Sequence, residues 1–192
     1  MNAETTTSDC NGYFDILYRV TRTVNSSLDV MQILGMIVSS TAEALEARAC
    51  SLRLLSPDGR RLFIGATYGL SADYRAKGPV DLANSQVDCL AIQDKKTIYI
   101  ADAQTDPRFQ YGDRAREEGI VSVVVVPLSV QDQPIGVMRV YSGAPRTFAA
   151  AELGLLEAIA SLSALAIENG RLYERLDRNY QAALDFDDRT FD

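Results

Sequence analysis

Ile120-Val-Ser-Val-Val-Val-Val-Pro-Leu-Ser-Val130 is a nearly unbroken apolar run dominated by valine. Branching at Cβ favours extended backbone. Apolar residues at consecutive rather than alternate positions predict a strand buried on both faces. Pro127 has no N–H to give to a ladder, so it is expected where the strand meets an edge or a bulge. Gln131-Asp-Gln133 is a tight link to a partner strand over 134–142, and Gly119 closes a short charged helix over 112–118. A strand covered on both sides needs a layer above it and a layer below.

The rest of the chain supplies those layers. Residues 49–55 and 61–68 read as a hairpin about Ser56-Pro-Asp-Gly59, whose second-position Pro and fourth-position Gly suit a type I turn. Residues 97–101 form a short strand. Residues 70–96 are irregular, with a loop at Gly78-Pro79 and a short helix through Ala91 that Asn84 or Ser85 caps. Helical periodicity occupies both ends. Phe14, Leu17, Val20, Val24 and Leu28 mark one helix, and Ser26, Ser27 and Asp29 offer a break and a new N-cap. A second helix, 30–46, carries Ile33, Leu34, Ile37, Val38, Ala42 and Leu45 on one stripe. A long helix runs from 149 to about 184, with Thr147 as its cap. Strands in the middle and helices at the ends predict an α+β fold, an antiparallel sheet with terminal helices on one face.

Composition removes whole classes of function. The 192 residues contain no histidine, which excludes a Ser-His-Asp triad, a Cys-His pair, a His-ligated haem or zinc and a phospho-accepting histidine. A net charge of −7 argues against nucleic acid or an anionic membrane as partner. No run of 18 apolar residues is present, so no bilayer span is expected. Residues 1–12 read as a polar, disordered tail without the basic and apolar regions of a signal peptide, so a cytoplasmic protein is expected. Cys10, Cys50 and Cys89 are widely spaced and odd in number, as expected of free thiols. The chain carries neither a GxxxxGK[ST] phosphate loop nor a metal-carboxylate constellation, so no cofactor, metal or catalytic residue is expected.

The long helix carries two stripes. Leu156, Ile159, Ala166 and Ile167 suit the sheet. Leu155, Leu162, Asn169, Leu176 and Ala183 recur every seven residues, with Ala158, Leu165, Leu172 and Asn179 between them, an a/d seam. Asn at an a position typically fixes register in a two-stranded pair. A parallel homodimer through Leu155, Leu162, Leu165, Asn169, Leu172 and Leu176 is expected.

Several stretches, taken in order, resemble the GAF domain, a small-molecule sensory module of signalling proteins. They are Cys50-Ser-Leu-Arg-Leu-Leu-Ser-Pro-Asp-Gly59, Tyr68-Gly-Leu-Ser71, Ile98-Tyr-Ile-Ala-Asp102 and Asp106-Pro-Arg-Phe109. They continue with Gly119-Ile-Val-Ser-Val-Val-Val-Val-Pro-Leu128, Pro134-Ile-Gly-Val-Met-Arg-Val-Tyr141 and Ala166-Ile-Glu-Asn-Gly-Arg-Leu-Tyr173. No single piece is specific; their order and spacing are. The resemblance spans 13–175 and leaves 176–192 as a helical extension with an acidic tail. It implies a GAF/PAS-like antiparallel sheet of five to six strands, terminal helices on one face, and a pocket on the other beneath the irregular middle segments. It implies dimers through the terminal helices and does not name a ligand. Bilin-binding members use a Cys, usually beside a His, whereas Cys89 precedes Leu90. Haem-binding members need a His, and the Asn-Lys-Phe-Asp-Glu motif of phosphodiesterase-type members is absent.

Strand alternation sorts the pocket. Cys50, Leu52 and Leu54 share one face of the first strand, and Ser51 and Arg53 the other. Gly136, Met138 and Val140 share one face of the last strand, and Val137, Arg139 and Tyr141 the other. First and last strands are neighbours in the family, which puts Arg53 and Arg139 side by side. Two guanidiniums there call for an anion, or for internal carboxylates such as Asp102 or Asp81. Leu82, Val87, Cys89, Ile100 and Asp102, with Arg108, Phe109 and Tyr141, complete the candidate site. Three readings stay open. The first is a sensory domain for a small, anionic ligand, acting through the dimeric helix on an output domain or partner such as a kinase. The second is a thiol enzyme like free methionine sulfoxide reductase. The third is a ligand-free dimerisation module.

Overall fold

The computed structural model describes residue 12 and residues 15–22 and 29–188, with side chains through 181. Readings that fall on 1–11, 13–14, 23–28 and 189–192, Cys10 among them, lie outside the described residues. Residues 15–22 are helical. Five further helices follow: α1 (Val30–Ala44), α2 (Ala72–Arg75), α3 (Gln86–Asp94), α4 (Gly112–Glu118) and α5 (Ala150–Asp188). The strands are β1 (Ala49–Leu55), β2 (Arg61–Tyr68), β3 (Val80–Asp81), β4 (Ile98–Ile100), β5 (Ser122–Val130) and β6 (Gln133–Ser142). They make one six-stranded sheet in the order β3-β2-β1-β6-β5-β4, and each pair is antiparallel. The fold is α+β.

Local chemistry explains the punctuation. Asp29 caps α1, its carboxylate accepting from the Met31 and Gln32 amides at 3.0 and 3.2 Å. The β1–β2 turn closes through the Gly59 amide to the Ser56 carbonyl, 2.9 Å. Gln131 and Asp132 both adopt positive φ, the two-residue hairpin geometry whose twist suits β5 and β6. β4 covers only Val123–Val125, so Pro127 lies on a stretch of β5 with one neighbouring strand. The expected cap of the long helix shifts. Ala149 supplies the first carbonyl, and its amide donates to Glu152 at 2.8 Å, so Glu152 rather than Thr147 serves the helix start.

The sheet separates two apolar layers. On one side Cys50, Leu52, Val124, Val126, Met138 and Val140 meet α1, α5 and the helix over 15–22. On the other, Val123, Val125, Val137 and Tyr141 meet α2, α3 and the loops around them. Alternate valines of β5 enter opposite layers, which is why Val123–Val126 has no polar position. Gly136 lets β6 close on β1, where a Cβ would overlap the Arg53 carbonyl.

Two expectations about α5 change. Leu156, Ile159, Ala164, Ala166 and Ile167 are buried against the sheet, but so is Leu155, at 4% exposure. Leu155 belongs to the domain's own core and is not free for a second copy, because the helix is in full contact with the sheet at that turn. Leu162 is half-buried at the margin of the same core, whereas Leu165, Asn169, Leu172 and Leu176 are exposed. Composition also departs from expectation. Within Ala150–Gln181 one 18-residue window has mean hydropathy 1.7, long and apolar enough to cross a bilayer, although no run of 18 is uniformly apolar. Of that window, 44% is buried inside the domain.

Candidate functional site

Arg139 is 1% exposed and Arg53 is wholly buried. Register explains their proximity. Arg139 of β6 stands opposite Ser51 of β1, and Arg53 stands opposite Val137, so the two arginines are diagonal neighbours on one face. Desolvating a cation is costly unless a counter-charge meets it. Arg139 has one. Its Nε donates to Asp88 Oδ1 at 2.9 Å, and its Nη2 to Asp88 Oδ2. Ser85 Oγ donates to the same carboxylate. Burial opposes the charge on Arg139, yet Asp88, together with Tyr141 and Tyr74, overrides it and holds the pKa above that of a free arginine.

Arg53 has no such partner. Among the described residues, its Nε, Nη1 and Nη2 are all buried without a hydrogen bond, as is Nη1 of Arg139. Two more donors share this condition nearby, Tyr74 Oη and Lys77 Nζ. The Tyr74 ring meets the Tyr141 ring edge-on at 6.3 Å, and Tyr141 shares a 3.0 Å hydrogen bond with Ser51 Oγ. Lys77 Nζ lies 3.5 Å from the centre of the Tyr74 ring and 4.2 Å from that of Tyr111. Burial, reinforced by Arg139 and Arg53, brings the Lys77 pKa down to about 6; Asp88 and Glu118 pull the other way.

A cleft of about 520 Å³ opens outside this cluster, lined by Arg48, Ser71, Tyr74, Lys77, Arg114 and Glu118, among others. Tyr74 and Lys77 are thus common to the cleft wall and the buried cluster. Glu118 fastens α2 to α4: its carboxylate accepts from the Ser71 amide at 2.9 Å and from the Ser71 hydroxyl.

The remaining candidates divide. Val87, Ile100, Phe109 and Tyr141 lie in the same apolar layer as the arginines, with the Arg139 guanidinium 5.7 Å from the Phe109 ring centre. Leu82 and Cys89 line a separate groove of about 610 Å³ with Asp58 and Arg61. Asp102 turns away, accepting from the Gln104 amide and the Thr105 hydroxyl at 2.9 Å each. Arg108 pairs with Asp106 at 2.6 Å, an interaction that holds Asp106 below the usual carboxylate range. Asp81 accepts from the Ala83 amide. The internal carboxylate is therefore Asp88, not Asp102 or Asp81. Its signal was readable, since Asp88 shares a helical stripe with Ala91 and Ile92 and follows Ser85 by three. Tyr74, Lys77 and Glu118 gave no comparable pattern, because loop segments bring them together. Cys50 faces the helix-side core, where burial pushes its thiol pKa up, and Cys89 lies across the sheet from it.

The family model for the GAF domain matches residues 27–168. The chain belongs to the GAF domain family. Solved GAF domains share its architecture. The GAF domain of a phosphoenolpyruvate-protein phosphotransferase from Coxiella burnetii is 24% identical with a TM-score of 0.77, over 85% of this chain and 97% of that one. The corresponding domain from Acinetobacter is 25% identical with a TM-score of 0.72, over 83% and 94%. The formate hydrogenlyase transcriptional activator of Salmonella typhimurium is 24% identical over 177 residues, or 90% of this chain. The chain spans about a quarter of that activator's length. GAF domains are typical of sensory and regulatory signalling proteins.

Proposed function

We propose that this GAF domain is a sensor of a small anionic ligand and signals through a dimeric α5 to an output domain or partner protein. The observation that carries the reading is Arg53, a wholly buried guanidinium with three unpartnered nitrogens. An anion offsets its desolvation with charge-assisted hydrogen bonds. A route from ligand to helix runs through β6. Arg139 faces the ligand side, while its neighbours Met138 and Val140 share the opposite core with Leu156 and Ile159 of α5. A ligand that favours one packing of that core over another shifts the helix arrangement by its difference in affinity. The exposed Leu165, Asn169, Leu172 and Leu176 are the surface through which two copies pair, with Leu162 at its margin. The match to a transcriptional activator supports a regulatory role.

Native mass spectrometry of the protein as purified, with a denatured control, tests this. A dimer carrying a discrete small mass that is lost on denaturation is expected. A bare monomer overturns the helix-mediated signalling.

A further inference from the structure

Among the described residues, four neighbouring side chains present buried donors without hydrogen-bond partners: Arg53, Nη1 of Arg139, Tyr74 Oη and Lys77 Nζ. They come from four separate places, β1, β6, α2 and the turn after α2, so their common condition is not the habit of one local motif. Electrostatics joins them, since Arg53 and Arg139 both act on Lys77 and on Tyr74. The buried charged side chains are Arg53 and Arg139 against Asp88 and Glu118. Above about pH 6 the ligand-free cluster is balanced, two guanidiniums against two carboxylates with Lys77 neutral; an anion that holds Lys77 protonated meets a surplus of one positive charge. A single negative charge balances it, and a dianion overshoots.

Shape narrows the class. A guanidinium whose three nitrogens are free offers its fork to a planar two-oxygen group. Aromatic rings stand beside two of the cations, Phe109 by Arg139 and Tyr74 and Tyr111 by Lys77, with Tyr141 edge-on to Tyr74. That environment favours a carbon skeleton over a fully hydrated inorganic ion. The Tyr74 hydroxyl and the Lys77 ammonium are left for the carboxylate's outer oxygen or a polar group beyond it.

We propose that Arg53, Arg139, Tyr74 and Lys77 form one binding site for a small monocarboxylate, reached from the cleft between α2 and α4. The carboxylate lies on the Arg53 fork and the free nitrogen of Arg139, and Tyr74 and Lys77 close over its outward side. This rests on the reading of the domain as an anion sensor and adds the ligand's class and two contacts.

The test is calorimetric titration of the full chain at pH 7 and fixed ionic strength. The probes are sodium formate, acetate, pyruvate and lactate, with succinate, inorganic phosphate and nitrate as comparisons. At least one monocarboxylate is expected to bind. Its affinity should fall tenfold or more in Arg53→Met and less in Arg53→Lys, and several-fold in Tyr74→Phe and Lys77→Met. Circular dichroism confirms that each variant is folded. If succinate or phosphate binds in an Arg53-dependent way and no monocarboxylate does, the proposed class is wrong while the anion sensor stands. Nitrate binding as tightly as every carboxylate overturns the class too. Binding of a monocarboxylate unchanged by Tyr74→Phe and Lys77→Met overturns the two added contacts. If none of the anions binds, the proposal is overturned, and the mass found on the purified protein decides the sensor reading separately.

Discussion

Arg53 and Arg139 stand diagonally across β1 and β6 on the same buried face, and only Arg139 has a carboxylate. Two side chains of identical chemistry, one strand apart, therefore differ in the ligand-free domain: the desolvation of Arg139 is offset by Asp88 and that of Arg53 is not. The asymmetry is open to substitution.

Arg53→Met removes a desolvated charge and keeps much of the side chain's apolar length. Exchange of buried ionic groups for apolar ones of similar size is often stabilising by about 1–4 kcal/mol. The ligand-free variant is expected to melt higher than wild type, by about 2–4 °C for each kcal/mol. Differential scanning fluorimetry of extensively dialysed protein checks this; a lower midpoint would show that the guanidinium is already satisfied.

Asp88→Ala does the reverse. It strands Arg139 in the interior, and breaking a buried pair from one side costs about 3–5 kcal/mol. Urea unfolding should show that loss. The double variant Asp88→Ala/Arg139→Met is expected to regain a large part of it, a coupling that two independent losses would not produce.

Lys77 makes stability depend on pH. Its folded pKa, about 6, lies below its ordinary value of 10.5, so the unfolded chain holds the extra proton between these limits. Stability then rises with pH across that window and is lowest, for this group, below pH 6. Lys77 is faced by Arg139 and Arg53 from the sheet, Asp88 from α3, Glu118 from α4 and the rings of Tyr74 and Tyr111. Lys77→Met should raise the melting temperature most at pH 6 and least near pH 10. An anion bound beside Lys77 raises its pKa, so binding takes up protons and tightens as pH falls from 8 toward 6. Titrations in buffers of different ionisation enthalpy would measure that uptake.

On the proposed pairing, the exposed turns of α5 serve assembly and its buried turns serve folding. Leu172 is 45% and Leu176 64% exposed. Leu172→Ser combined with Leu176→Ser is expected to leave the folded domain within about 0.5 kcal/mol of wild type in its monomeric form. Sedimentation velocity should show a loss of dimer. Leu156→Ala, by contrast, is expected to cost about 2–5 kcal/mol in unfolding, since its side chain is buried among the core residues of the sheet's helix side.

Gly136→Ala sets a Cβ against the Arg53 carbonyl and forces β1 and β6 apart. Overpacking of this kind costs about 1–3 kcal/mol. Because the displaced carbonyl belongs to Arg53, the variant should also weaken anion binding, whereas Gly35→Ala, which meets open space inside helix α1, should leave binding unchanged and stabilise the domain by about 0.5–1 kcal/mol.

What the sequence disclosed follows from the range of the forces involved. The faces of β1 and β6 were legible because pleating alternates without regard to the rest of the fold, so Arg53 and Arg139 fell together once the strands were neighbours. The valines of β5 announced their two-sided burial for the same reason. Asp88 left only a faint mark, a carboxylate on an apolar helical stripe. Tyr74, Lys77 and Glu118 left none, because α2 is a four-residue helix placed by tertiary contacts and by the Ser71–Glu118 hydrogen bonds. Leu155 was misassigned to the seam because a heptad and a core stripe overlap on one helix. Periodicity alone does not say which neighbour a leucine meets.

The close approach of Gly170 to Val30 has a mechanical meaning. A Cβ on Gly170 would overlap the Val30 side chain, so α5 presses on the start of α1 at this one turn. Before it the helix is bedded on the sheet; after it, residues 172–181 are exposed. Gly170 is therefore a fulcrum. From there to Asp188 the helix extends on the order of 27 Å at 1.5 Å per residue, so a tilt of about 5° moves its far end by roughly 2 Å. At Ile159, 11 residues before Gly170 and about 16 Å from it, the same tilt corresponds to a displacement of about 1.5 Å. On the proposed signalling route, repacking around Arg139 would reach the far end of α5 at a slightly larger amplitude, on the scale of the steps by which packed helices slide.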